Sequence, residues 1–512
     1  MIRIFMHETL CDAKGLSIPG EIAPTDRFEY DIQGLVMAFF PGEGTAFNPS
    51  GENAGSEASE AAAHPDVNIL WRSTHVDVSV GNVTKGADFL PGPAVNAKTA
   101  VKKSLYHALS AYTGHELPWG SLTGIRPTKI PMAMLERGAG DDEIMLYMQE
   151  EMLTGPEKSA LALDIAKREK ALLDRLDCDG GYSIYIGIPF CPSKCLYCSF
   201  TSYALSAYPG RVDEYLDCVE KEIRFTAEHF RDRKLNTVYV GGGTPTTLEP
   251  YQLERLCAMV EDNFDLSHLL EFTVEAGRPD SITQGKLAAI RRHRPDRISI
   301  NPQTMKQATL DIIGRRHSTQ DVIDAFYMAR SMGFDNINMD LIMGLPDETI
   351  DDVRNTMEQI KRLSPDNLTV HSLAVKRTSR LNLERENYTG YTYENTAAQM
   401  DLTAACAREM GMAPYYLYRQ KNMAGNFENV GYARPGKAGL YNILIMEEKQ
   451  PIVAIGAGAV SKNIFADGRI ERAENVKDLK SYFERIDEMI ERKRKLFYKS
   501  THSPEDVGLG GH

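Results

Sequence analysis

Three cysteines, Cys191, Cys195 and Cys198, are spaced C-x3-C-x2-C within Tyr185-Ile-Gly-Ile-Pro-Phe-Cys-Pro-Ser-Lys-Cys-Leu-Tyr-Cys-Ser-Phe200. Thiolates are soft ligands suited to zinc, Cu(I) or iron–sulfur clusters. A structural zinc site wants a fourth ligand, usually from a second C-x2-C pair or closely spaced histidines. The sequence has no second pair. A [4Fe–4S] cube normally takes four thiolates, so three would leave one iron open to a small molecule. The competing readings are free cysteines on a surface loop, or a zinc knuckle with a remote ligand.

The elements around the cysteines say how such a loop is presented. An apolar, β-rich run, Tyr182–Ile188, leads in, and Pro189 ends it. From Gly181 onward strands alternate with helices. Strands are expected near Tyr182–Ile188, Thr237–Val240, Glu271–Glu275, Arg297–Ile300, Asn336–Asp340 and Asn367–Leu373. Helices are expected near Tyr208–Phe230, Tyr251–Phe264, Ser281–Arg292, Thr319–Met332 and Ile350–Leu363. Repeated βα units imply a parallel sheet with right-handed crossovers, in which chemistry gathers at the C-terminal ends of strands.

Each strand exit can then be inspected. The first is the cysteine loop. The second is Gly241-Gly-Gly-Thr-Pro245, whose glycines let backbone amides approach a ligand closely; it is neither a P-loop nor a dinucleotide fingerprint. The third ends in Glu275, whose carboxylate suits a pair of ribose hydroxyls. The fourth leads to Gln303, an amide that both donates and accepts. The fifth runs through Asn338-Met-Asp-Leu-Ile-Met-Gly-Leu-Pro346, with Asp340 read as the strand end. Arg315 offers a planar fork for a carboxylate. Each signal is weak alone; five in register carry weight.

Composition bounds the remaining classes. The chain has 512 residues, 42% hydrophobic and 25% charged, which allows two to four domains with large cores. A net charge of −13 argues against general nucleic-acid binding. The basic run Glu491-Arg-Lys-Arg-Lys-Leu reads as a solvated helix face. Eight cysteines in this length form no disulfide framework. Cys11, Cys178, Cys218, Cys257 and Cys406 read mostly as core thiols, with Cys178 near the motif in sequence. There is no signal-peptide core and no apolar stretch near the ~18 residues that span a membrane, so a reducing cytoplasm is expected.

Four segments are expected. Residues 1–95 form a small β-rich module, with strands at Ile2–Met6, Phe28–Phe40 and Val67–Val80 and a loop over Gly42–Ala63. Residues 96–178 are helical, with Lys98–Tyr112 and Ala160–Leu176 flanking the Pro- and Gly-broken Leu117–Lys129, which holds Trp119, Arg126 and Lys129. Residues 179–410 are the βα region. Residues 411–512 are a small α+β region with Tyr415-Tyr-Leu-Tyr-Arg-Gln-Lys-Asn422, short strands at Tyr441–Met446 and Ile452–Ile455, a helix from about Val476 and a frayed tail at 501–512. The aromatic and cationic stretch suits either a tetrapyrrole with ionised propionates or a strand with one aromatic core face.

Taken together, the cysteine motif, Gly-Gly-Gly-Thr-Pro-Thr and Asp-Leu-Ile-x-Gly-Leu-Pro resemble the radical S-adenosylmethionine (SAM) superfamily. Within it they resemble the oxygen-independent coproporphyrinogen III oxidase group, which includes the HemN, HemZ and HemW types. The likeness covers about residues 180–470, and the N-terminal extension and Tyr416–Met423 are most similar to the HemZ type. The resemblance implies an α/β fold: a partial (β/α)6-type TIM barrel with an N-terminal β-rich and helical extension and a small α+β C-terminal domain. It implies that Cys191, Cys195 and Cys198 hold a [4Fe–4S] cluster and that Tyr185, Gly242 and Glu275 contact SAM bound to it. Tyr197, Gly243, Thr244, Gln303, Arg315 and Asp340 match a second SAM site, so one or two SAM molecules are expected. The implied reaction is oxidative decarboxylation of coproporphyrinogen III to protoporphyrinogen IX. An electron donor such as flavodoxin or ferredoxin and a monomeric state are expected with it. The alternatives are a haem chaperone of the HemW type or a radical SAM methyltransferase acting on a tetrapyrrole. Phe200 stands where HemN-type members have a fourth cysteine, and Cys198–Tyr203 is closer to the chaperone branch. Gly431–Gly436 and Ile455–Ala459 also lean that way, whereas Tyr441-Asn442 departs from it.

Overall fold

A computed structural model describes residues 1–8, 28–48, 64–72, 74–90, 94–124, 126–420, 423–465 and 467–498. Cys11, most of the loop over 42–63, Lys421, Asn422 and the tail at 501–512 lie outside the described residues. The contacts form two compact units where the sequence suggests four segments. One comprises Met1–Lys167 with Tyr418–Glu428; the other comprises Arg168–Leu417 with Asn429–His512.

The first unit carries a five-stranded sheet in the order Thr45–Phe47, Ile2–Glu8, Val67–Trp71, His75–Val80, Val83–Asp88. The first three strands are parallel, and the last two continue antiparallel. Alternation puts Val76, Val78 and Val80 on the buried face. The expected strand at Phe28–Phe40 is instead a helix, Glu29–Phe39. Its buried residues are Ile32, Leu35, Val36 and Phe39, the i, i+3, i+4, i+7 positions of a helical face. Aromatic and β-branched content suggested a strand; the period decides for a helix.

The second unit is built on six parallel strands met in chain order. These are β1 (Gly181–Ile188), β2 (Lys234–Gly242), β3 (Glu271–Gly277), β4 (Arg297–Ile300), β5 (Ile337–Met343) and β6 (Asn367–Ser372). Each pairs with the next in parallel register. Helices Val212–His229, Pro250–Asn263, Gln284–Arg291, Thr319–Ser331 and Ile350–Leu363 make the crossovers. The strands are buried on both faces, as in β1, where seven of eight residues are buried, and this explains their near-continuous apolar sequence. Four of these strands extend further than the sequence suggested. β5 runs to Met343, so Asp340 sits in mid-strand and does not end it.

The C-terminal region extends this same sheet. Asn429–Ala433 pairs antiparallel with β6, and Ile452–Ile455 pairs parallel with β1. Among the described residues the result is a sheet of eleven strands, continued past Asn429–Ala433 by Ala413–Tyr418 and past Ile452–Ile455 by Val460–Ile464 and Ile470–Glu474. The expected strand at Tyr441–Met446 is a helix, Leu440–Glu447, with Tyr441, Ile443, Leu444 and Glu447 buried. A short apolar run does not distinguish a buried strand from a buried helix. The basic run is not wholly a solvated face: Lys493 is 1% exposed and paired with Glu222.

Candidate functional site

The strand β1 delivers the cysteine loop at its C-terminal end. Cys191 is buried, while Cys195 and Cys198 are partly exposed. Burial pushes the Cys191 thiol up to about 11, with the neighbouring Cys198 and Cys195 adding to the rise. Burial also raises Cys198. All three sulfurs therefore share one electrostatic neighbourhood, and a positive centre there would draw off their protons. The loop is pinned from β4's side of the sheet: Leu196 N–H donates to Ile313 O at 3.0 Å, and Ser193 Oγ donates to Gly314 O at 3.2 Å. No three His, Cys, Asp or Glu side chains among the described residues gather as a single metal ion would need. A cube makes a different demand, because each thiolate binds its own iron. Cys178 lies before β1, so an eight-residue strand of roughly 26 Å separates it from the loop.

The glycine loop is stitched to this lead-in. Gly243 N–H donates to Ile188 O at 2.7 Å, and Thr244 N–H to Phe190 O at 2.8 Å. The Thr244 hydroxyl donates to Cys191 Sγ at 3.5 Å. A Cβ on Gly243 would lie 2.5 Å from Phe190 O and 3.0 Å from Cys191 Sγ. Gly242 has φ of +107°, and a Cβ there would lie 3.2 Å from the Tyr185 hydroxyl. Close packing and backbone geometry thus both demand glycine at this exit.

Glu275 faces the same glycines. A Cβ on Gly241 would lie 2.9 Å from its carboxylate oxygen. Tyr239 donates its hydroxyl to Glu275, and the Gly242 backbone N–H also bonds it. Burial nevertheless lifts the Glu275 carboxyl to about 7, aided by the charge of Asp340. Tyr185, Tyr239 and Tyr441 stack beside it, with Tyr239 and Tyr441 4.6 Å apart between centroids. Burial raises all three phenols, which stay protonated and serve as donors.

The remaining expected residues fall at neighbouring exits. Gln303 adopts φ of +69°, and its N–H donates to Asp340 O at 2.9 Å. Among the described residues its side-chain Oε1 is buried without a hydrogen-bond partner, as is Nε of Arg315. Buried polar atoms rarely go unpaired, and here they suit a polar ligand. Arg315 Nη1 donates to the Tyr197 hydroxyl at 3.3 Å, which ties these two to the cysteine loop. Burial works against ionising Asp340, but His371, 3.9 Å away, and Asn338, donating at 2.7 Å, hold its carboxyl below the ordinary range.

Sequence reasoning missed Arg278, Asn338, His371 and Arg297. Asn338 stands two positions before Asp340 on the same face of β5, whereas His371 comes from β6, a pairing visible only once register is known. Arg297 is buried at 1% exposure, near Tyr415 and Glu271, and its Nε has no hydrogen-bond partner among the described residues. The aromatic stretch at 415–422 is not an open tetrapyrrole surface in its described part. Tyr415 and Tyr416 are buried in a strand, and Arg419 donates to Leu122 O at 2.6 Å and Asn426 O at 3.2 Å. Trp119 packs likewise, at 0% exposure, with Nε1 donating to Glu428 at 2.7 Å.

A three-thiol loop, a glycine cradle that no side chain fits, and orphaned polar atoms beside them suit an iron–sulfur cluster with a small polar cosubstrate. Comparison with known proteins agrees. Residues 185–360 match the Radical SAM superfamily. The chain is 41% identical over 413 residues to the oxygen-independent coproporphyrinogen-III oxidase-like protein HemZ of Bacillus subtilis (strain 168), covering 79% of this chain and 82% of that one. It is 35% identical over 229 residues to the heme chaperone HemW of the same organism, covering 43% and 60%. It is 26% identical over 306 residues to the oxygen-independent coproporphyrinogen III oxidase of Salmonella typhimurium, covering 60% and 65%. The chain therefore belongs to the radical SAM superfamily, in the HemZ type of its oxygen-independent coproporphyrinogen-III-oxidase-like group.

Proposed function

We propose that this protein is a coproporphyrinogen III dehydrogenase, converting two propionates to vinyl groups by radical oxidative decarboxylation. The observation that carries the reading is the 41% identity to an oxidase-like relative, spread over 82% of that relative. Cys191, Cys195 and Cys198 hold the [4Fe–4S] cluster. When bound, the cluster and SAM supply one-electron C–S cleavage and a hydrogen-abstracting radical.

The chain's own residues do the rest. Gly241–Gly243 leave room for close backbone approach. Glu275, with Tyr239 and the Gly242 N–H behind it, orients the ribose hydroxyls, and Tyr185 lies against the same loop. Tyr197, Gly243, Thr244, Gln303, Arg315 and Asp340 form the rest of the pocket, which takes a second SAM or part of the substrate. The buried strand ends exclude water and fix the reacting groups, which is the protein's share of a reaction whose hard step belongs to the cofactor. A one-electron carrier such as flavodoxin or ferredoxin serves as donor.

The test gives reduced, reconstituted protein SAM, coproporphyrinogen III and an electron acceptor under anaerobic conditions. A dehydrogenase forms a monovinyl tripropionate and then protoporphyrin, with 5′-deoxyadenosine rising in parallel. Cys191→Ala abolishes both. Arg315→Ala and Asp340→Ala lower turnover without lowering iron content. The second reading, a haem carrier, is favoured by the 35% identity to HemW and by Phe200, exposed where HemN-type members have a cysteine. Unchanged porphyrinogen together with tight stoichiometric haem binding would establish that reading instead.

A further inference from the structure

Arg278 directly follows β3 and is 4% exposed. Its Nε and Nη2 donate to the two carboxylate oxygens of Asp280 at 2.9 and 2.5 Å. That bidentate pair fixes the plane of the guanidinium and aims Nη1 at the cysteine loop. Nη1 donates to Ser193 O at 3.0 Å and Ser193 Oγ at 2.9 Å, and reaches Cys195 Sγ at 3.7 Å.

Two features separate this contact from ordinary loop pinning. The loop is already anchored by Leu196 to Ile313 and by Ser193 to Gly314. A neutral donor would also bond Ser193, whereas burying a guanidinium costs desolvation that Asp280 offsets. What an arginine adds is a permanent positive charge and an N–H facing a thiol sulfur, because it does not lose its proton.

We propose that Arg278, oriented by Asp280, is a positioning residue that raises the reduction potential of the cluster held at Cys191, Cys195 and Cys198. Hydrogen bonds to sulfur and local charge are levers on cluster potential. Reduction adds one electron, taken from an external one-electron donor, and so one negative charge. A cation against Cys195 Sγ favours that state, and the carboxylate of Asp280 opposes it from farther away. The inference rests on the radical SAM reading of the site.

The experiment is a potentiometric titration of the reconstituted full-length protein with dithionite, followed by EPR of the reduced cluster, without SAM or substrate. Iron and sulfide are measured first. Arg278→Met is expected to lower the equilibrium constant for reduction at least tenfold, about 59 mV for a one-electron couple. Arg278→Lys should recover at least half of that shift. Asp280→Asn keeps one oxygen to accept from the guanidinium but removes the negative charge, so it should move the potential the opposite way, and a fall as large as that of Arg278→Met would mean that the bidentate orientation outweighs the charge and would overturn the electrostatic inference. A cluster that assembles normally in Arg278→Met with an unmoved potential overturns the inference and leaves the radical SAM reading standing. If Arg278→Met does not hold iron, Asp280→Asn decides: a potential equal to the unmodified protein's overturns the inference. Failure of the unmodified protein to assemble any cluster would remove the radical SAM reading itself.

Discussion

Glu275 is the residue whose environment most sharply couples the site to pH. Its folded-state pKa of about 7 stands above the 4.5 of the unfolded chain, chiefly through burial. Between those values the folded protein binds more protons than the unfolded one, so stability falls as pH rises through this window. The cost above pH 7 is about 2 kcal/mol once partial solvent exposure is allowed for. Glu275→Gln is therefore expected to be neutral at pH 4.5 and to stabilise the cofactor-free protein by about that amount at pH 8. Denaturant titration at the two pH values checks it, and equal effects at both would refute the burial argument. The glycines make a steric prediction. Gly242→Val puts a branched side chain at φ of +107° against Tyr185 and Ile188. SAM affinity should fall at least tenfold while iron content stays; normal SAM binding would reduce the loop to a turn. The cysteines, glycines and Glu275 stand out in the sequence because they fall in short motifs at the ends of expected strands, and the structure brings those ends together. Arg278 and His371 do not. Each belongs to no motif, and only the register of β3 with the cysteine loop, or of β5 with β6, gives it a partner.

The strands and helices that present these residues follow from period and length. Continuous apolar runs became two-face-buried strands, and Ile350–Leu363, with capping Thr349 and Asp352 and its wide apolar stripe, matched its expected limits. The failures were Phe28–Phe40, where content and period disagreed, and Tyr441–Met446, an apolar run too short for period to decide. The C-terminal helix Ile486–Tyr498 gives an instance no local pattern shows. Lys493 pairs with Glu222, and Glu222 also accepts from Tyr482 at 2.6 Å, Asn475 at 2.9 Å and Gly456 N–H at 2.8 Å. This network holds the turn at Gly456 against Gly187 of β1, where a Cβ would lie 2.5 Å from Gly187 O. Removing one partner strands the other charge in the interior. Lys493→Met should cost about 3–5 kcal/mol, and Lys493→Met with Glu222→Leu should cost less than the sum of the single changes. Urea unfolding of the four proteins checks this; strict additivity would mean the two residues do not act as a pair.

At the scale of the molecule, the chain's two compact units are not two successive stretches. Tyr418–Glu428 interrupts the unit that carries the eleven-stranded sheet and belongs to the N-terminal one. Composition alone offered no sign of this, because the eleven residues read as part of a C-terminal strand region. Their role is visible in the partners of Glu428, which accepts from Trp119 Nε1 at 2.7 Å and from Lys158 Nζ at 2.6 Å. Glu428 is 2% exposed, so such donors stand in for the water its carboxylate oxygens would otherwise bind. Arg419 strengthens the closure through Leu122 O, with its guanidinium 5.9 Å from the Trp119 ring. Both tryptophans of the chain, Trp71 and Trp119, lie in this unit. Tryptophan fluorescence therefore follows its unfolding selectively, while cluster absorbance follows the unit that holds the cysteines. Glu428→Ala leaves Lys158 and Trp119 without their acceptor, a loss of about 3 kcal/mol, or about 6–12 °C for a unit of this size. The fluorescence midpoint should fall by that amount and the absorbance midpoint should hold. An unmoved fluorescence midpoint would mean that Tyr418–Glu428 is a passive passenger and that Met1–Lys167 is complete without it.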